Sequence, residues 1–235
     1  MLAVSLGGSA LFALLGIAGD LSVHKALGSQ TAVVNASVPG PSYLDLAYQL
    51  AEIAVALVPV FLVAHFLSRS DETAADLGVS ASTAGADVLW GTLLAVVVGG
   101  AGLALYLGAY HAGLSLRVVP TTLPAVWWRI PVLLLSAAQN GVLEEVVVCA
   151  YLLRRLGQLG WSAGSALAAS ALLRGSYHLY QGFGGFLGNV AMGVLFGVIY
   201  QRTRRLLPLA VAHTLIDAGA FVGYVLLYGH VQWLP

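Results

Sequence analysis

The chain has 235 residues, 59% of them hydrophobic and only 9% charged, and its ten basic residues balance ten acidic ones. Soluble domains carry about 25% charged residues, so a water-soluble enzyme is excluded, and the neutral balance leaves no footprint for nucleic acid as a partner. Cys149 is the single cysteine, so no internal disulfide is available.

A helix crossing ~30 Å of hydrocarbon needs about 17–25 mainly apolar residues. In chain order the qualifying segments run from Leu2 to Gly19, Leu46 to Leu67, Val88 to Tyr110, Val126 to Leu153, Ser162 to Tyr180, Phe183 to Tyr200 and Leu206 to Tyr228. The first lacks a basic leader and a clear cleavage signature, so it is read as a retained span rather than a signal peptide. The breaks between segments are polar or rich in turn formers, such as Pro39 and Pro41, Ser68 to Asp87, and Arg202 to Arg205. A glycine turn at 181–185 suits antiparallel neighbouring helices. The expected fold class is all-α, a polytopic membrane helical bundle of about seven transmembrane helices with a four-helix catalytic core. Residues 1–124 supply three N-terminal spans, residues 125–228 the core, and residues 229–235 a tail.

Cytoplasmic loops retain Lys and Arg. With the N-terminus cytoplasmic, that side receives Arg69, Arg154, Arg155, Arg202, Arg204 and Arg205, against Lys25, Arg117 and Arg129 on the other. The expectation is a multi-pass plasma-membrane protein with its C-terminus outside. Trp90, Trp127, Trp128 and Trp161 fall near span ends, as an interfacial aromatic belt requires.

The fourth span carries Glu144 and Glu145 among valines and leucines. Counting back from Arg154 at 1.5 Å per residue puts Glu144 about 15 Å below the boundary, near mid-membrane. An ionised group at the bilayer centre costs at least ~2.5 kcal/mol, so such acids face a wet cavity and have a function. Consecutive helix positions differ by about 100°, so the two carboxylates serve different ends. His178 follows Arg174 by four residues and His213 precedes Asp217 by four, so each pair shares a helix face. A carboxylate one turn from a histidine fixes its tautomer, in metal sites and general bases alike. His24, His65, His111 and His230 sit at span ends or in loops and carry no such pattern. Glu52 in the second span is read as a snorkelling or loop-paired acid, and Asn189 in the sixth as an interhelical hydrogen-bonding or cavity residue.

Glu144-Glu145 on one helix, His178 on the next and His213-Thr-Leu-Ile-Asp217 on the last, in that order, resemble the CPBP family of intramembrane proteases, also called the Abi or CAAX-protease family and often termed metalloproteases. Its motifs are Glu-Glu-x-x-x-Arg, Phe-x-x-x-His and His-x-x-x-Asn/Asp. The resemblance implies that Glu144, His178 and His213 are catalytic and that Asp217 accompanies the second histidine. A carboxylate would act as general base on water while imidazoles stabilise the oxyanion or protonate the leaving amine. No cofactor is expected; the alternative is zinc held by Glu144, His178 and His213. The implied partners are the lipid bilayer and a peptide or protein substrate, C-terminally processed lipidated proteins in some relatives. Two positions depart from the motifs: Cys149 replaces the arginine, and Arg174 replaces the phenylalanine. An arginine on a neighbouring helix can reach Glu145, so the two departures are read as one compensated change, with Glu145, Arg174 and Asn189 supporting the site. A catalytically silent scaffold or chaperone of the same family, and a proton-coupled transporter, are the competing readings.

Overall fold

The computed structural model describes Leu11, Leu14, Leu15 and residues 30–231. The predicted first span, apart from those three leucines, lies outside the described residues, as do His24 and Lys25. The described chain is helical apart from two short strands, turns and loops. Strand β1 (Thr31–Asn35) precedes α1 (Ser42–Ala56) and α2 (Val58–Ser68), two halves of one apolar stretch with Pro59 near the start of the second. Helix α3 (Ala84–His111) follows, then β2 (Arg117–Thr121), which pairs with β1. Helix α4 (Arg129–Leu143) continues through a π-helical segment (Glu144–Tyr151) into α5 (Leu152–Gln158). Helices α6 (Ala163–Tyr177), α7 (Phe183–Thr203) and α8 (Leu207–Leu227) complete the described elements.

Among the described residues, five stretches are long and apolar enough to cross a membrane: Ser42–Ser68, Ala81–His111, Arg129–Gln158, Phe183–Thr203 and Leu207–Leu227. The chain is therefore an integral membrane protein built from helices. The segment predicted as the fifth span forms α6, which has 15 residues. At 1.5 Å per residue it measures about 22 Å, short of ~30 Å of hydrocarbon. Its start is fixed by Ser162, whose side chain accepts from the Ser165 amide at 3.1 Å, a typical N-cap. Its end is fixed by a short 3-10 turn, Leu179–Gln181, closed by Gly182 at φ +89°, where a side chain would be strained. That is the predicted glycine turn between α6 and α7.

The chain divides into two compact units, each drawn from separated stretches. One includes Val97–Val118 and Val148–Arg204, hence α5, α6, α7 and the second half of the π segment; the other includes Val33–Val96, Val119–Val147, with the first half of the π segment, and α8. In the first, α6 packs on α7 at Gly193, where a Cβ would fall 3.0 Å from Ala171 Cα. Small residues let helices approach this closely in lipid, where dispersion packing rather than water exclusion holds them.

In the second unit, Leu123, Trp128, Val132, Leu133, Ala137 and Phe221 form the core that joins α4 to α8. Trp128 is buried, and its indole N–H donates to Ser42 Oγ at 3.0 Å, so it is a core residue and not part of an interfacial belt. Trp127 is 83% exposed. Adjacent residues point in different directions, and here one of the pair turns inward. The predicted topology anchor at Arg202 to Arg205 does further work in this unit, where Arg205 forms an ion pair with the fully buried Asp87.

Candidate active site

Along α4 and into the segment that follows it, Ser136, Asn140 and Glu144 recur every four residues, so one turn separates each from the next along this side of the helix. At Glu144 the backbone passes into π geometry for eight residues, Glu144–Tyr151. Such wide turns recur at functional sites and leave backbone groups to be satisfied from outside. Ser170 of α6 does this within its own unit, its buried hydroxyl donating to the Val148 carbonyl at 2.7 Å. Both acids at the start of the π segment are buried, Glu145 completely.

His213 lies six residues into α8, buried, and its Nδ1 is 2.8 Å from Glu145 Oε1. A carboxylate only accepts, so Nδ1 carries the hydrogen and donates. That bond fixes the ring and turns its Nε2 edge toward Asp217, whose Oδ1 lies 3.9 Å away. Asp217 is fixed in turn by Asn140, whose side-chain amide donates to Oδ2 at 2.9 Å. The first and third motifs thus form one chain of contacts: Glu145, His213, Asp217, Asn140. The chain exists because α4 and α8 touch at Gly141. A Cβ there would lie 2.8 Å from the Thr214 amide nitrogen, a clash that only glycine avoids.

The other unit holds the second motif. His178 caps the end of α6, with Nδ1 2.9 Å from the Arg174 carbonyl. The acceptor is again an oxygen, so Nδ1 carries the hydrogen, and in the neutral ring Nε2 holds the lone pair. Tyr177 and Tyr180 flank the imidazole at ring separations of 4.8 and 6.3 Å. Arg174 is buried to 1% exposure, with its guanidinium 5.8 Å from the Phe196 ring centroid. Cys149 is a buried thiol in the same unit. Asn189 donates to the Gly185 carbonyl of its own helix at 3.0 Å, a local bond on a half-buried side chain. Exposed His65, His111 and His230 take no part in these groups.

Among the described residues no three His, Cys, Asp or Glu side chains are grouped so as to hold a metal ion. The residue that sequence reasoning passed over is Asn140. Its signal was an amide one turn before Glu144 on an otherwise apolar helix, the same spacing that drew attention to His213 and Asp217.

Residues 125–219 match the family model described as Rce1-like, type II CAAX prenyl endopeptidase Rce1-like. No curated protein and no solved structure matches the chain. The matched segment contains Glu144, Glu145, His178, His213 and Asp217, and it contains Asn140 as well. Residues 125–219, which carry all three motifs, therefore match a Rce1-like model that belongs to the CPBP family.

Proposed function

We propose that this protein is an intramembrane endopeptidase in which Glu144 activates a water for attack on a peptide carbonyl. The hydrogen bond between Glu145 and His213 supports the reading most directly, because it ties the first motif to the third inside a membrane-spanning, Rce1-like segment. Adjacent glutamates then divide the labour. Glu145 holds an imidazole, and Glu144, one position earlier, is the general base. His213, gripped at Nδ1, presents Nε2, from which a doubly protonated ring donates to the developing oxyanion. Asp217, itself held by Asn140, orients that edge of the ring. His178 takes the role of the second imidazole by motif order, as proton donor to the leaving amine. The proposal uses no metal and places seven spans around a four-helix core, with the N-terminus in the cytoplasm of a cell bounded by the plasma membrane. A lipidated protein C-terminus is the substrate class that the family description suggests.

Arg174 and Cys149 enter the same proposal as a single compensated change, with Arg174 supplying the positive charge that the first motif has lost. Loss of activity in Arg174→Ala, partly restored by Cys149→Arg, is the expected result; full activity of the single mutant removes it.

The test is purified protein in detergent with a quenched peptide library. Wild type cleaves, and Glu144→Gln falls by on the order of 10²-fold or more, the usual share of a general base. Cleavage that survives this change refutes the mechanism, and a phenotype that survives it in cells supports the silent scaffold instead. Retention of activity in chelator is expected, and its loss would restore the zinc alternative.

A further inference from the structure

Beside Asn140, residues of β1, α1 and α4 in the second unit line an open pocket of about 500 Å³. This lies within the ~300–1,000 Å³ range of ligand sites. One wall is aliphatic, from Val34, Ile53 and Val55; the other is polar, from Gln139 and Asn140 of α4 and Glu52 of α1. Among the described residues that line it, Glu52 is the single charged group.

The hydrogen-bonding capacity of this lining is biased. Gln49 donates both amide hydrogens away, to the Ala36 carbonyl at 2.9 Å and to Asp45 at 3.1 Å, so it offers only its carbonyl oxygen. Asn35 directs an N–H to the Pro120 carbonyl, and Asn140 directs one to Asp217. With a carboxylate added, the cavity is rich in acceptors and holds one negative charge. It fits a ligand with several N–H donors, a single positive charge and an aliphatic stem.

We infer that this cavity is a specificity subsite that takes a lysine or arginine side chain of the peptide substrate, with Glu52 as its counter-ion. The inference rests on the peptidase reading above. Asn140 gives the distance: it lines the cavity and lies four residues, about 6 Å along the helix, from Glu144. An extended peptide advances about 3.3–3.6 Å per residue, so the basic side chain lies within roughly three residues of the bond cut.

Binding separates this from catalysis. Fluorescent octapeptides bearing lysine, arginine, norleucine or glutamate at successive positions are titrated into the full chain in the Glu144→Gln background, alone and with Glu52→Gln or Glu52→Lys. The lysine peptide binds about fivefold more tightly than its norleucine counterpart, the scale of a partly solvated ion pair. Glu52→Gln brings that ratio to under about twofold, and Glu52→Lys turns the preference toward the glutamate peptide. A lysine preference that persists in Glu52→Gln, or is absent before it, overturns the subsite. Charge-selective binding with no cleavage by the chain bearing Glu144 overturns the peptidase reading and leaves the subsite standing. Cleavage with no preference between lysine and norleucine does the reverse.

Discussion

His213 takes its orientation from a carboxylate 68 residues away in the chain, whereas His178 takes its from a carbonyl four residues back on its own helix. The first arrangement exists only if α4 and α8 have already packed; the second forms as α6 forms. One histidine therefore reports on tertiary structure and the other on local backbone. Replacing each by alanine sharpens the contrast. Both variants lose cleavage by on the order of 10²-fold or more if the proposed roles hold. Their stabilities separate, because His213→Ala strips a buried carboxylate of a donor and costs about 1–3 kcal/mol. His178→Ala loses one partly solvated bond, and costs about 0.5–1.5 kcal/mol at most. Unfolding in mixed micelles by SDS titration measures both. Equal losses would break the comparison.

The glycines give the next contrast, within α4 and α8 alone. Gly141 sits against Thr214, while Gly219 has nothing within 4 Å of where a side chain would begin. Gly141→Val forces the helices apart and costs about 1–3 kcal/mol by overpacking, and it takes the Glu145–His213 bond with it. Gly219→Ala is neutral or stabilising by up to about 1 kcal/mol, from helix propensity. The decisive outcome is cleavage. A Gly141→Val protein that is destabilised yet fully active would show that α4 and α8 need not touch for the chemistry, against the role given to His213.

In the other unit Ser170 serves the backbone rather than a titratable group. Ser170→Ala leaves the buried Val148 carbonyl short of its 2.7 Å donor and costs about 1–2 kcal/mol. Hydrogen exchange of the Val147–Tyr151 amides checks the cause, since loosening confined to the π segment is expected. Uniform loosening of α6 and α7 would mean that Ser170 acts by packing.

These cases mark what the sequence conveys. Hydropathy and length place five of the spans, because burying backbone polarity in lipid demands long apolar helices. Motif order brings Glu144, Glu145, His213 and Asp217 to notice, and helix geometry sets the two adjacent acids in different directions. What stays hidden depends on partners distant in sequence. Nothing local reveals that Asn140 meets Asp217, that Glu52 borders a cavity, or that the apolar run from Ser162 is cut short by a capping serine and a glycine turn. The π segment is equally hidden, because a wide turn has no compositional mark in a run of valines.

Trp127 and Trp128 carry the same point to the smallest scale. In sequence they are two equal members of a belt, and only the roughly 100° between successive side chains separates them. Trp128 lies in the core with its N–H on Ser42 Oγ at 3.0 Å, so Trp128→Phe keeps most of the packing, loses that bond and costs about 0.5–1.5 kcal/mol. Trp127→Phe, at a position 83% exposed, changes stability by less than about 0.5 kcal/mol. The same SDS titration ranks the two. A larger loss for Trp127 would mean that lipid contact, not the core around α4, holds this end of the helix, and α4 is the element that positions Asn140, Glu144 and Glu145.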